Sequence, residues 1–301
     1  MAHATANAAG HPAGFWRGDA NGPVEIGTEV HKRLFCRMLL DTHDPFKPAV
    51  IDWPKLDDGA RQRLVSLPIW NIAVQTEGKA KIRVLTYGER IRDPLLRQAV
   101  DMNGFEEGRH KVVLSNMVEA YGIKLDAEPP YPKPKDAEWA FMVTGYSECI
   151  DSFFAFGLFD VAKRSGFFPP ELVDTFEPVM QEECRHILFY VNWVQWHRRN
   201  LPWWKRPLFD LRRALVYLYL ARERMNTAND MGGDNFTMTG HESMGIDLNL
   251  RDLLDVCLSE NGRRMARYDD RLLRPTFVPW IARFARRFMR APKSGAPKRA
   301  A

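Results

Sequence analysis

Apolar positions along the chain fall into helical stretches separated by clusters of proline, glycine and short polar residues. A first long helix is expected after Pro68, a good first-turn residue, and a second from near Pro94 to about Tyr121-Gly122, where glycine supplies a stop. A proline-rich connection over 125–134 leads to a third helix at about 136–164. The fourth starts at Pro169-Pro170, and Pro178 should kink it or divide it. The fold class is therefore all-α, a four-helix bundle over 68–199 with additional C-terminal helices over 200–290. Around it, 1–24 is expected as a disordered arm, 25–67 as a flanking segment with a helix around Leu56–Val65, and 291–301 as a disordered basic tail.

Beyond the bundle, 206–225 reads as a helix whose centre, Ala214 to Leu220, is apolar on every side, so its own chain or a partner should bury it. A Gly-, Asn- and Met-rich loop over 226–247 precedes helices at about 249–267 and 275–290. In the last, Phe277, Trp280, Ile281, Phe284 and Phe288 make one stripe, with Arg283, Arg286, Arg287 and Arg290 on the other side. The stripe is expected to pack on the bundle while the arginines face water. A membrane-surface helix and a docking site for an acidic electron donor are the two functional alternatives.

One pattern occurs twice, as Glu106-Glu107-Gly108-Arg109-His110 and Glu182-Glu183-Cys184-Arg185-His186. Glu-x-x-His spans nearly one helical turn, so carboxylate and imidazole leave the same face as a chelating hook. Two single glutamates lie at usable distances, Glu77 before the first hook and Glu148 before the second. In an antiparallel pair, two residues are level when the turn lies midway between them. The midpoints fall at Arg92-Asp93-Pro94, near Ala127 and at Ser165-Gly166, all in breaker clusters, which puts four ligand stations level if successive helices alternate in direction.

This motif set resembles the ferritin-like di-iron carboxylate superfamily. The Arg before each His and the acid before each hook Glu are similar to acyl-carrier-protein desaturases and bacterial multicomponent monooxygenase hydroxylases. The resemblance covers roughly 68–199. It implies a ferritin-like bundle holding two Fe ions on Glu77, Glu107, His110, Glu148, Glu183 and His186, donors that also suit Mn or a mixed Mn/Fe pair. It further implies that Glu106 orients His186 and Glu182 orients His110, with Arg109 and Arg185 pairing with those acids. Ser152, four residues after Glu148, resembles the hydroxyl residue found on the oxygen-binding side. Tyr190, four after His186, could hydrogen-bond a ligand or hold a radical. The position that carries the radical Tyr in ribonucleotide reductase small subunits is Leu114 here, which disfavours a radical generator of that kind. Phe153, Phe154, Phe156 and Phe159 offer surface for an apolar cavity, and Gly104 and Gly145 leave room for metals or for close helix packing.

Composition narrows the classes. At 301 residues and 45% hydrophobic content the chain can bury a substantial core. Nine Lys or Arg and no acid follow Asp270, so the net charge of +5 belongs to the C-terminal end, and no nucleic-acid recognition motif accompanies it. Four cysteines without a Cys-x-x-Cys pair exclude a rubredoxin-type iron module and a disulfide framework. No signal peptide or membrane span is read, so a cytoplasmic protein is expected. The expectation is an O2-activating di-iron oxidoreductase that acts on a small apolar substrate with a separate electron donor, as a homodimer. The alternative is a non-enzymatic ferritin-like iron- or manganese-binding protein.

Overall fold

The structure, a computed structural model, describes residues 15–230 and 249–289. Most of the expected arm and loop, and the whole of the expected tail, thus lie outside the described residues. The described chain is all-α. Its helices are α1 (Glu29–Asp41), α2 (Asp58–Ser66), α3 (Trp70–Gly88), α4 (Pro94–Ala120), α5 (Ala137–Ser165), α6 (Pro170–Thr175), α7 (Glu177–Asn200), α8 (Arg206–Asp230), α9 (Leu250–Met265) and α10 (Phe277–Phe288). No strand occurs among the described residues, and no described helix is long and apolar enough to cross a membrane.

Side-chain caps start α4 and α5. Asp93 accepts from Leu96 N (2.8 Å) with Pro94 in the first turn of α4, and Asp136 accepts from Trp139 N (3.0 Å) at α5. Gly166 stops α5 in the left-handed conformation, φ 66°. The fourth bundle helix is divided, with α6 ending at Thr175 and Pro178 seated in the first turn of α7.

α3, α4, α5 and α7 form the bundle. α3 and α4 are an antiparallel hairpin, as are α5 and α7, where Glu138 near the start of α5 meets His197 near the end of α7 (2.9 Å). The second midpoint argument needs correction, because α4 and α5 do not alternate in direction. The connection 121–136 runs back along the α3–α4 hairpin. Asp126 is bonded to Asn71 at the start of α3, Tyr131 packs on Gly78, and Lys133 and Lys135 meet Glu89 and Arg90 at the α3–α4 turn. α5 therefore begins where α4 begins, a long crossover that leaves the two parallel. Glu107 lies 13 residues into α4 and Glu148 lies 11 into α5, so the stations are still nearly level, by a different route.

Four other expectations change. α1 was not foreseen as a helix, yet it packs on α4 and α7 and buries Leu34, Phe35, Met38 and Leu39. Its signal was present, with apolar residues at helical spacing behind a Thr28 cap. α8 runs to Asp230 and is buried on one side only, by Phe209, Val216 and Leu220, while Leu208, Leu211, Leu215 and Leu218 stay exposed. In α10 it is Pro279 and Ala282 that pack inward, and the aromatic stripe faces out. Residues 15–24, expected within the arm, are tied to the α9–α10 connection. Trp16 N donates to Arg267 O (2.8 Å), and Arg271 donates to the carbonyl of Gly22 (3.0 Å).

A methyl group on Gly145 would run into the Tyr190 ring, and one on Gly104 would meet Leu85 at 2.6 Å, so both glycines serve close helix packing. Gly145→Ala should therefore lower stability by about 1–3 kcal/mol, although Ala normally favours a helix interior. A thermal melt reads the sign, and an unchanged or higher Tm would contradict this packing.

Candidate metal centre

Each hook leaves its helix toward the bundle axis. Glu107, His110, Glu183 and His186 are buried, and one donor atom from each lies within 4.8 Å of the others. His110 Nδ1 is 2.9 Å from Glu183 Oε1, and His186 Nδ1 is 3.0 Å from Glu107 Oε1, so each imidazole faces the carboxylate of the other hook. Both Nδ1 atoms and Glu107 Oε1 nevertheless lack a hydrogen-bond partner. Their short approaches have no hydrogen-bond direction, as for donors aimed at a common point. Glu77 Oε2 lies 3.8 Å from His110 Nδ1. Glu148 lines the same cavity and feels the charges of Glu107, His186 and Glu183.

The outer nitrogens are fully used. His110 Nε2 meets Glu182 Oε2 at 2.8 Å, and His186 Nε2 meets Glu106 Oε2 at 2.8 Å. A carboxylate there holds the Nε2–H and turns Nδ1 inward, as the atom that a metal ion would take. Arg109 donates to Glu182, and Arg185 donates to Glu106 (2.6 Å). Further guanidinium N–H groups reach backbone carbonyls at the end of α1 and in the segment after it. Arg185 donates to Leu39 (2.9 Å) and Arg109 to Asp44 (2.6 Å) and Phe46 (3.1 Å), with the Phe46 ring 3.9 Å from its charge centre. His43 Nδ1 adds a bond to Glu106 Oε1 at 2.6 Å. His43, Glu106 and Glu182 also gather within 4.8 Å, but the two arginines already supply positive charge there, so that group is not a cation site.

Electrostatics separate the two layers. Burial alone would raise Glu106, but the bonds from His186 and the charges of His186 and Arg185 hold it well below the usual carboxylate range. Burial and the neighbouring Glu107 push both Glu77 and Glu148 well above that range. Two outer acids face two arginines, whereas four inner carboxylates face only imidazoles. Two divalent cations would balance that inner charge, and hard carboxylates with imidazole suit Fe, Mn or Zn. The residues present therefore fit a pair of metal ions.

The centre forms one wall of a cavity of about 680 Å³. Its other walls are mostly apolar and include Trp70, Leu114, Met117, Phe159, Phe168 and Phe176. Of the four phenylalanines expected to line such a space, Phe159 does, whereas Phe153 and Phe156 are buried in packing clusters. Ser152 Oγ lies 3.4 Å from Glu183 Oε2 on the cavity side. Tyr190 lies outside the cavity lining, and its hydroxyl donates to Met142 O (3.0 Å). The expected ligand or radical role does not suit that position, because the ring turns to the face opened by Gly145. Sequence reasoning missed Thr144, a buried cavity residue whose hydroxyl has no partner. It also missed His43, and neither position carries a local pattern that would have marked it. No protein-family model, curated protein or solved structure matches the chain.

Iron-replete protein should hold about two metal ions per chain. Changing His110 or His186 to Ala should remove at least one, and full occupancy in the double variant would overturn the donor assignment. Glu106→Gln and Glu182→Gln should weaken metal affinity by about 10–100-fold without unfolding the bundle, as read by competition with a chelator. Because Glu77 and Glu148 favour their protonated forms, an entering cation displaces protons, so affinity should fall as pH falls. Calorimetry in buffers of different ionisation enthalpy measures that release. Buffer-independent heats would contradict it.

Proposed function

We propose that the chain is an O2-activating di-iron oxidoreductase acting on a small apolar organic substrate. One observation carries the reading, the convergence of four carboxylates and two unpartnered imidazole nitrogens beside a large, mostly apolar cavity. The superfamily resemblance of the two hooks points the same way. Glu77, Glu107, His110, Glu148, Glu183 and His186 would hold the metals, with Glu107 and Glu183 between the two imidazoles. A pair of iron ions bound there supplies the electrons and the Lewis acidity for reducing O2.

The chain's own residues do the rest. Glu106 and Glu182 hold the Nε2 protons, which would leave each Nδ1 as the atom that ligates a metal ion. The anionic inner carboxylates favour the oxidised metals. The apolar walls exclude water and leave a reactive oxidant few side reactions. Ser152 and Thr144 present hydroxyls on the cavity side, where they can donate to or accept from a bound substrate. A non-enzymatic metal-binding protein would have the same donors but no use for the cavity.

The test is oxygen uptake by the iron-loaded protein with a chemical reductant and a panel of small apolar compounds. At least one compound should stimulate uptake. Ala155→Phe, which fills the cavity wall, should abolish the stimulation while metal content stays unchanged. Cage assembly with many irons per chain, and no compound-dependent uptake, would favour the metal-handling alternative.

A further inference from the structure

We propose that α10 docks on an anionic phospholipid bilayer. The helix is built the reverse of an ordinary covering helix. Its small residues Pro279 and Ala282 are buried, and Val278, Ala285 and Met289 pack on the cluster containing Leu253, Leu254 and Cys257 of α9. Two polar ties fix it in place, an Arg286–Asp255 ion pair (2.9 Å) and an Arg251 bond to Met289 O (2.8 Å). Its large residues point the other way. Phe277, Trp280, Ile281, Phe284 and Phe288 are all exposed, Trp280 by 58% and Phe288 by 75%.

Those rings form a ladder. Trp280 stacks on Phe284 at 5.6 Å between centroids, Phe284 meets Phe288 at 5.0 Å, and Phe277 meets Tyr217 of α8 at 4.8 Å. Monomeric proteins seldom leave a contiguous aromatic row in water. A row of exposed rings along one face of a docked helix suits a fluid apolar surface.

Charge complementarity identifies that surface. Arg283 and Arg287, one turn apart and exposed, border the stripe and make no ion pair with any described residue. Arg290, Lys293, Lys298 and Arg299 follow, and no acid occurs after Asp270. Apolar insertion beside exposed basic side chains is the two-signal combination that favours binding to anionic lipid. The cluster behind α10 shares Leu158, Ala162 and Phe168 with the cavity wall. If the proposed function holds, lipid docking would bring an apolar substrate supply close to that wall, but the docking itself does not depend on it.

The experiment is flotation of the full-length protein, metal-loaded and metal-free, with vesicles of phosphatidylcholine alone or mixed with phosphatidylglycerol, at low and moderate salt. Binding is expected only to the anionic vesicles, equally with and without metal, and weaker at the higher salt. Each of Arg283→Gln and Arg287→Gln should weaken it roughly fivefold. The triple variant Trp280→Ser, Phe284→Ser, Phe288→Ser should abolish it while keeping metal content and Tm, because these side chains lie outside the core. No binding, equal binding to neutral and anionic vesicles, or unchanged binding by the triple variant would overturn the proposal. So would light scattering that shows a dimer dissociated by the triple variant, since a second copy would then occupy the stripe.

Discussion

The structure turns on the cost of holding six carboxylates and two imidazoles inside an apolar bundle. An unpaired buried carboxylate is strongly unfavourable, and a group so placed takes up a proton or finds a counter-charge. The chain meets this in two layers. Outside, Glu106 with Arg185 and Glu182 with Arg109 form paired, hydrogen-bonded units that also grip the imidazoles. Inside, Glu77 and Glu148 are pushed toward their protonated forms when no cation is present. A metal pair would relieve that inner layer, so binding energy there becomes folding energy.

The outer layer explains why the chain needs more than four helices. Each arginine spends some of its donors on an acid and must place the others. Three such bonds go to carbonyls of Leu39, Asp44 and Phe46, which makes the end of α1 and the segment after it part of the centre. α1 is held in turn by His31, whose Nε2 lies 2.9 Å from Asn192 Oδ1, and Asn192 also accepts from Leu273 N (2.9 Å). The N-terminal and C-terminal additions are thus joined through α7, the helix that carries the second hook.

Legibility followed the range of the interaction. The hooks, the bundle helices and the break at Pro178 could be read because Glu-x-x-His, helical periodicity and proline act within one or two turns. Long-range choices were less legible. The direction of α5 depends on where 121–136 lies against the α3–α4 hairpin, and a midpoint count cannot distinguish a crossover from a turn when both keep Glu107 and Glu148 level. Tyr190 shares a helical face with His186, yet its ring is turned aside by space left at Gly145, on another helix. The exposure of the α10 stripe was misjudged for a related reason. Periodicity shows that an apolar face exists, but the face that turns inward is the one carrying Val278, Ala282 and Ala285, which pack in the cluster with Leu253, Leu254 and Cys257 of α9.

The central claim is that the two hooks hold a pair of ions between them. Anomalous diffraction at the iron edge from crystals of the iron-loaded protein tests this most directly. The account expects two peaks within the bundle, one beside His110 Nδ1 and one beside His186 Nδ1, with Glu107 and Glu183 between them. A single peak, no peak, or density among His43, Glu106 and Glu182 instead would contradict it.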